Sequence, residues 1–317
     1  MKEKLKVFEA FAGVGTQHMA LKRLGIDFEI VGISEIDEYA IMSYEAIHGK
    51  VNNLGDISLL NPEDVPDHDL FTYSFPCQDV SLDGFGRGIG EGTRSGLLYE
   101  CIKIIEAKKP KYLLLENVKN LVNRFKGDFD KWLEWLSSQG YKNYWKVLNA
   151  KDFSNIPQNR ERVYVVSILD SEEEFVFPDN IPLTKTLYQM IDFEDEDPKY
   201  LDEEMIAPIV YRDFKSDTQR AFIVNTKKGY DIASVGDSFV YTYITSKTRR
   251  GRIGRGVAQT LQTVITMGIV MDDLRIKKLS SLEAWRLMGI SDEDYHKAKN
   301  AGVSHKQLHK QAGMLLL

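Results

Sequence analysis

Two short segments carry residue types that could do chemistry together. Pro76-Cys77-Gln78 holds one of two cysteines, and Glu116-Asn117-Val118 holds a carboxyl. Each follows a run that reads as a buried strand, Leu70-Phe71-Thr72-Tyr73-Ser74 and Tyr112-Leu113-Leu114-Leu115. If those strands are parallel neighbours in an open α/β sheet, both tips open on the same edge. Thiol and carboxyl then share a crevice. A soft nucleophile beside a proton donor suits attack on an electron-poor aromatic ring. An isolated cysteine usually reads as a buried structural thiol, and Cys101, inside an amphipathic helical pattern, fits that description. Cys77 differs because it lies just past a strand tip, after Pro76.

A second constellation begins at Phe11-Ala12-Gly13-Val14-Gly15, where a first strand turns into a helix. Its glycines permit a tight turn and close ligand approach. The spacing falls short of the G-x-G-x-x-G of dinucleotide sites. Glu35 ends the second strand, where an acidic side chain could accept from both ribose hydroxyls. Asp56, in Gly55-Asp56-Ile57 near an expected third strand, could accept from an adenine amino group. Together these suggest a nucleoside cofactor without a pyrophosphate clamp, such as S-adenosylmethionine.

Strand and helix signals alternate through the first part of the chain. Leu5–Phe11, Ile30–Ser34, the two runs above, Tyr144–Leu148 and Arg162–Ile168 read as strands. Thr16–Leu24, Ile36–His48, Ser95–Lys108 and Phe129–Ser138 read as helices, most stopped by glycine. This pattern predicts a mostly parallel α/β sheet with helices on both faces. The texture changes near Phe177-Pro178. Short β-prone pieces follow, such as Ala221–Val224 and Phe239–Ile244. Helices return after Leu279, where Ser280-Ser281-Leu282-Glu283 has capping-box spacing. Ser291 and Ser304 read as further caps. The expected domains are 1–176, a smaller β-rich 177–271, and a helical tail 272–317 packing back on the first.

The chain has 317 residues with 43% hydrophobic and 28% charged content, ordinary for a globular protein. No apolar stretch is long enough to span a bilayer, and the N-terminus lacks a signal-peptide core. Two cysteines make no disulfide framework, which fits a reducing cytoplasm. The six histidines show no ligand pattern, and no metal site is expected. The net charge of −6 argues against a uniformly basic nucleic-acid binder. Its distribution matters more than its sum. Asp192–Glu204 is acidic, whereas Lys247, Arg249, Arg250, Arg252 and Arg255 form a compact basic stretch interleaved with glycines. That stretch reads as a DNA-contacting loop, with a solvated surface loop as its plainer alternative.

In order and spacing, these segments resemble the DNA (cytosine-5)-methyltransferase family. The matching words are Phe11–Gly15, Pro76-Cys77-Gln78, Glu116-Asn117-Val118, Gln158-Asn159-Arg160-Glu161-Arg162, Gln259-Thr260-Leu261, and Arg275 with Lys277–Glu283. The resemblance covers nearly the whole chain. It implies a Rossmann-like S-adenosylmethionine-dependent sheet with a smaller β-rich target-recognition domain at about 177–271. It assigns attack on cytosine C6 to Cys77 and contact with N3 and the exocyclic amine to Glu116. Arg162 would hold the base O2, and Arg160 would help fix Glu116 and a phosphate. The implied cofactor contacts are Phe11, Gly13, Val14, Gly15, Glu35, Ile36, Asp56, Ile57, Pro76 and Leu98. Gln78 and Ser81 would touch DNA, within a glycine-rich loop, Gln78 to Ser95, suited to closing over a flipped base. A monomer acting on duplex DNA at the bacterial nucleoid is expected, in restriction-modification or phage anti-restriction. The tRNA-methylating branch carries a Cys-Phe-Thr word that has no counterpart after Cys101.

One departure stands out. Family members usually follow the position of Gln311-Ala312-Gly313 with an asparagine–serine pair and a closing helix, where this sequence reads Met314-Leu315-Leu316-Leu317. The expectation is a shortened gene or a separate chain supplying the piece. Weakened cofactor binding, or a DNA-binding homologue with little activity, is the corresponding alternative.

Overall fold

The computed structural model describes residues 3–75, 96–172, 174–244, 246 and 251–314. Pro76, Cys77, Gln78, Ser81, Lys247, Arg249 and Arg250 therefore lie outside the described residues. In chain order the elements of the first stretch are β1 (Leu5–Ala10), α1 (Thr16–Arg23), β2 (Phe28–Ser34), α2 (Glu38–His48), β3 (Leu70–Tyr73), α3 (Gly96–Lys108), β4 (Tyr112–Val118), α4 (Asn120–Asn123), α5 (Lys126–Ser138), β5 (Tyr141–Asn149), α6 (Ala150–Phe153), β6 (Gln158–Asn159) and β7 (Glu161–Leu169). Then come α7 (Glu203–Ile206), β8 (Gln219–Ile223), β9 (Tyr230–Ser234), β10 (Ser238–Val240), β11 (Ile253–Gly254), β12 (Ala258–Gln259), β13 (Met267–Val270), β14 (Ile276–Lys278), α8 (Ser281–Leu287), α9 (Asp292–Asn300) and α10 (His305–Met314).

Contacts divide the chain into two compact units. One comprises Met1–Leu148 with Glu161–Pro178, the other Asn149–Arg160 with Asp179–Leu315. The boundary between Pro178 and Asp179 falls at the change of texture, whereas Asn149–Arg160, inside the expected 1–176, groups with the second unit. Residues 272–314, set apart in the sequence reading as a tail on the first domain, group with the second unit instead.

The first unit is built on a six-stranded sheet in the order β2-β1-β3-β4-β7-β5. β1 pairs in parallel with β2 and β3, and β3 in parallel with β4. β7 runs antiparallel to β4. The strand interiors are apolar because both faces are covered. Phe8, Phe71, Leu115 and Val163 are fully buried and join Trp132 and Leu136 of α5 in one core. Cys101 lies in that core at 0% exposure, and burial pushes its thiol pKa up. It is structural, as its helical context suggests.

The segment Gly55-Asp56-Ile57, expected near the third strand, leads into a short 3-10 turn, Ile57–Leu59, which the Asp56 carboxylate caps through Ser58 N at 2.9 Å, and the third strand follows at Leu70–Tyr73. Only an isolated bridge, Ile33 to Asn53, remains of strand pairing there. The run Phe239–Ile244 stops early. β10 ends at Val240 and the chain turns through 242–244.

In the second unit, β11-β10-β13-β14 form an antiparallel sheet, β8 pairs with β9, and β12 pairs with β6. The capping box at α8 is present. Ser280 Oγ accepts from Glu283 N, and Glu283 Oε2 accepts from Ser280 N at 2.7 Å. Ser291 caps α9 through Asp294 N. Glu283 Oε1 also receives the ammonium of Lys277 at 2.6 Å, and both groups are buried. Among the described residues no helix is long and apolar enough to cross a membrane.

Candidate active site

The parallel register of β3 and β4 sets Tyr73 opposite Leu115. Their tips therefore leave the sheet on the same edge, as the two words require. Glu116 follows Leu115 directly, and Cys77 lies four residues beyond Tyr73 in sequence. Asn117, 4% exposed, ties the two tips together. Its Nδ2 donates to the carbonyl of Phe75 at 2.9 Å, and its Oδ1 accepts from Val118 N at 2.8 Å. The main chain is thus gripped just before Pro76-Cys77.

Glu116 is 5% exposed. The antiparallel register of β4 and β7 places Val118 opposite Arg162 and Glu116 opposite Tyr164. Arg162 and Glu116 are then diagonal neighbours on one face. Arg162 Nε lies 3.1 Å from Glu116 Oε1, and Arg162 Nη1 donates to the Glu161 carbonyl at 2.8 Å. Within the first unit Arg162 therefore fixes Glu116. Arg160 belongs to the second unit, where its side chain is 2% exposed and its backbone N donates to Asn149 Oδ1 at 3.1 Å.

The first βα turn is tightly specified. Phe11 and Gly13 have φ of 56° and 57°, and Gly15 has φ of 80°. For Phe11 this left-handed conformation is strained. Its N–H donates to the Ser34 carbonyl at 2.8 Å, which anchors the turn to the end of β2. Glu35 completes the anchor. Its Oε2 accepts from Gly13 N at 2.8 Å, and its Oε1 accepts from Ile36 N and Asp37 N, each at 2.8 Å. A carboxylate offers about four acceptor positions, so this arrangement leaves one rather than two for a ribose. Ile36 beside it is 71% exposed, an apolar side chain suited to lie against a planar ring. Both hydrogen bonds of Asp56 fall on Oδ1, from Ser58 N and Ser58 Oγ, and Oδ2 takes part in neither. Ile57 and Leu98, anticipated as cofactor contacts, are core residues at 3% and 4% exposure.

Below this turn lies a buried polar group that the sequence reading passed over. Glu9, at 0% exposure, accepts a hydrogen bond from Tyr44 Oη at 2.7 Å. Tyr44 Oη also lies 3.2 Å from His18 Nδ1, and the His18 ring stacks on His48 with centroids 3.9 Å apart. Burial raises the Glu9 carboxyl to about 7, against the smaller lowering effect of the Tyr44 bond. A lone acidic residue inside the apolar run Val7-Phe8-Glu9-Ala10 was the available signal.

The basic stretch divides. Arg252, expected to reach DNA, is fully buried and donates to the carbonyls of Val240, Tyr243, Ile244 and Ser246. Its guanidinium is committed to the protein's own backbone. Arg255 is exposed but pairs with the carboxylates of Asp231 and Asp237. Among the described residues of the stretch, neither is an uncommitted DNA contact.

Comparison with known proteins agrees with the resemblance. Residues 5–315 match the family described as C-5 cytosine-specific DNA methylase. The chain is 37% identical to the type II methyltransferase M2.ScrFI of Lactococcus lactis subsp. cremoris, over 98% of this chain and 94% of that protein. It is 29% identical to the orphan methyltransferase M.SPBetaI of Bacillus phage SPbeta, with the same coverage of both chains. In fold it is similar to the Dnmt2 methyltransferase of S. pombe, with a TM-score of 0.66 and 20% identity over 98% of this chain and 93% of that one. On the strength of the family match across its length, the chain belongs to the C-5 cytosine-specific DNA methylases.

Proposed function

We propose that the protein methylates C5 of a flipped-out cytosine in a specific duplex DNA sequence, through a covalent bond between Cys77 and C6. The observation that carries this reading is the adjacency of the β3 and β4 tips, fastened by Asn117, with Glu116 held by Arg162 at the same edge. Cytosine C5 is a poor nucleophile. Addition of the Cys77 thiolate at C6 makes the ring an enamine whose C5 can attack an electrophilic methyl. Glu116, hydrogen-bonded to N3 and the exocyclic amine, withdraws electron density and eases that addition. Arg162 orients Glu116 and reaches toward O2. After methyl transfer the C5 proton leaves to a base, and elimination of the cysteine restores aromaticity.

S-adenosylmethionine, when bound, supplies the methyl as an electrophile on sulfonium. The strained turn at Phe11–Gly15, the remaining acceptor position of Glu35, the exposed Ile36 and Asp56 Oδ2 fit its nucleoside portion. None of this chemistry is accessible inside a stacked duplex. The target base must swing out at a cost of about a few kcal/mol, which contacts to the displaced strand offset. The second unit supplies target recognition. Relatives of both type II and orphan phage kinds make a modification or anti-restriction role the matching biology.

The test uses duplex DNA carrying 5-fluorocytosine, which blocks the final proton loss. A stable protein–DNA adduct is expected with the wild type and not with Cys77→Ala. Absence of an adduct while methyl transfer proceeds normally on unmodified DNA would remove the covalent mechanism.

A further inference from the structure

We infer that Tyr243 is a specificity-determining DNA contact, presented by a turn that the buried Arg252 locks from beneath. The inference rests on the DNA-methylating function proposed above and adds a residue to it.

The run Phe239–Ile244 has strong strand propensity. It nevertheless leaves the sheet after Val240, and Tyr243 adopts φ of 51°. An aromatic residue in the left-handed region is strained, and such strain persists only where the surroundings over-determine it. Among the described residues, only two aromatic side chains sit on such backbone, Phe11 at the cofactor turn and Tyr243. Both belong to turns, and the first is the turn to which the proposed function assigns the cofactor.

Arg252 is the device that holds the second. Its Nη2 donates to the carbonyls of Tyr243 at 3.0 Å, Ile244 at 3.2 Å and Ser246 at 2.7 Å, while Nη1 donates to Val240 O at 3.3 Å. Sinking a guanidinium to 0% exposure is costly, and only its fan of donors can gather four carbonyls at once. The neighbouring Tyr241 is fastened, its Oη donating to the Ile265 carbonyl at 3.0 Å. Tyr243 is the opposite. Its side chain is 79% exposed despite its size. The segment tied to Tyr241 also exposes Val264 at 60% and Ile265 at 42%.

The turn therefore spends backbone strain and a buried charge to push one phenol into solvent. Lys247, Arg249 and Arg250 follow it closely in sequence, the composition expected where a chain meets phosphates. A tyrosine at that position offers base edges a hydroxyl that both donates and accepts, and offers a thymine methyl an apolar face. Duplex DNA in the major groove is the partner this chemistry fits. The contacted position is a base pair of the target other than the flipped cytosine.

The experiment uses the full chain and a duplex library randomised around the methylated site, read by bisulfite sequencing, for wild type, Tyr243→Ala, Tyr243→Phe and Arg252→Lys. Tyr243→Ala should keep the wild-type melting temperature. It should lower kcat/KM at the preferred sequence on the order of tenfold and relax the requirement at one base position. Tyr243→Phe assigns the effect to hydroxyl or ring. Arg252→Lys should relax the same position, and combining it with Tyr243→Ala should add little, because both act through one contact. An unchanged site preference in Tyr243→Ala, with an active wild type, overturns the inference alone. A wild type that methylates no duplex DNA overturns both it and the function on which it rests.

Discussion

The side-chain amide of Asn117 donates to the carbonyl of Phe75 at 2.9 Å and so couples the tip of β4 to the segment that leads into Cys77. Both partners are buried. Replacement by alanine leaves a buried carbonyl without its donor, at a cost of about 1–3 kcal/mol. Asn117→Asp is harsher, since it sets a carboxylate against a carbonyl. Either change should slow adduct formation with 5-fluorocytosine DNA about tenfold or more while leaving cofactor affinity near wild type. Quench-flow measurement of the adduct, with calorimetric titration of S-adenosylmethionine, separates the two effects. Equal slowing of neither step would show that the grip on Phe75 is unimportant.

The Glu116–Arg162 pair makes a second prediction. Arg162 and Glu116 side chains are 14% and 6% exposed, so removing the cation takes a close counter-charge from a poorly solvated carboxylate. Breaking such a pair costs about 3 kcal/mol or more. Arg162→Ala should therefore lose both stability and turnover. Glu116→Gln should behave differently, retaining most stability because a neutral amide of the same shape needs no paired cation, yet losing turnover because it no longer supplies a proton at N3. Urea denaturation beside methyl-transfer assays distinguishes them. Equal activity of Glu116→Gln and wild type would refute the role given to Glu116.

Stability should depend on pH through Glu9. Its carboxyl titrates near 7 in the folded protein, raised by burial from an ordinary 4.5. The folded chain therefore holds a proton that the unfolded chain has released between those values. The contribution is fully present below about 4.5 and is lost as pH rises through 7. Glu9→Gln removes this loss, and at pH 8 it should be more stable than wild type by up to about 3 kcal/mol. His18 acts in the opposite sense. Burial first, then the charges of His48 and Lys22, lowers it to about 4, so its contribution is present above 6.5 and falls as pH drops toward 4. The difference between wild type and Glu9→Gln isolates the carboxyl, because His18 is common to both. A flat difference from pH 5 to pH 8 would place the Glu9 proton elsewhere.

The pattern of apolar runs was enough to make neighbours of β3 and β4, the strands that precede Cys77 and carry Glu116 in sequence, because parallel strands carry their loops out together. It was also enough to locate the first turn and its acidic anchor. What escaped depends on where polar side chains spend their hydrogen bonds. Asp56 spends one carboxylate oxygen on a local cap of the 3-10 turn at Ile57–Leu59. Arg252 reads as a surface cation in a basic stretch, yet four backbone carbonyls well apart from it in sequence are its partners. The same capture ends the strand at Val240 in a run whose local preference is to continue. Glu35 sits where it was expected, but most of its capacity goes to the protein's own N–H groups.

Gly15 makes the last prediction, and it separates packing from ligand contact. Glycine here looks like a ligand-binding feature, but its φ of 80° and its surroundings give it a structural reason as well. A Cβ would come within 2.6 Å of His48 Nε2 and 2.7 Å of the Tyr44 ring. Those side chains cannot retreat cheaply, since His48 Nε2 is 3.1 Å from the Val14 carbonyl and Tyr44 is bonded to Glu9. Gly15→Ala should cost about 1–2 kcal/mol from backbone strain alone, with the clash adding to it. Adding His48→Ala should relieve the part of the clash that His48 makes and leave the Tyr44 contact and the strain. Thermal melts of the single and double variants test this, and cofactor titration of the double variant then reads how far the turn itself must hold its shape. A Gly15→Ala protein as stable as wild type would mean that Tyr44 and His48 yield more readily than their bonds to Glu9 and Val14 imply.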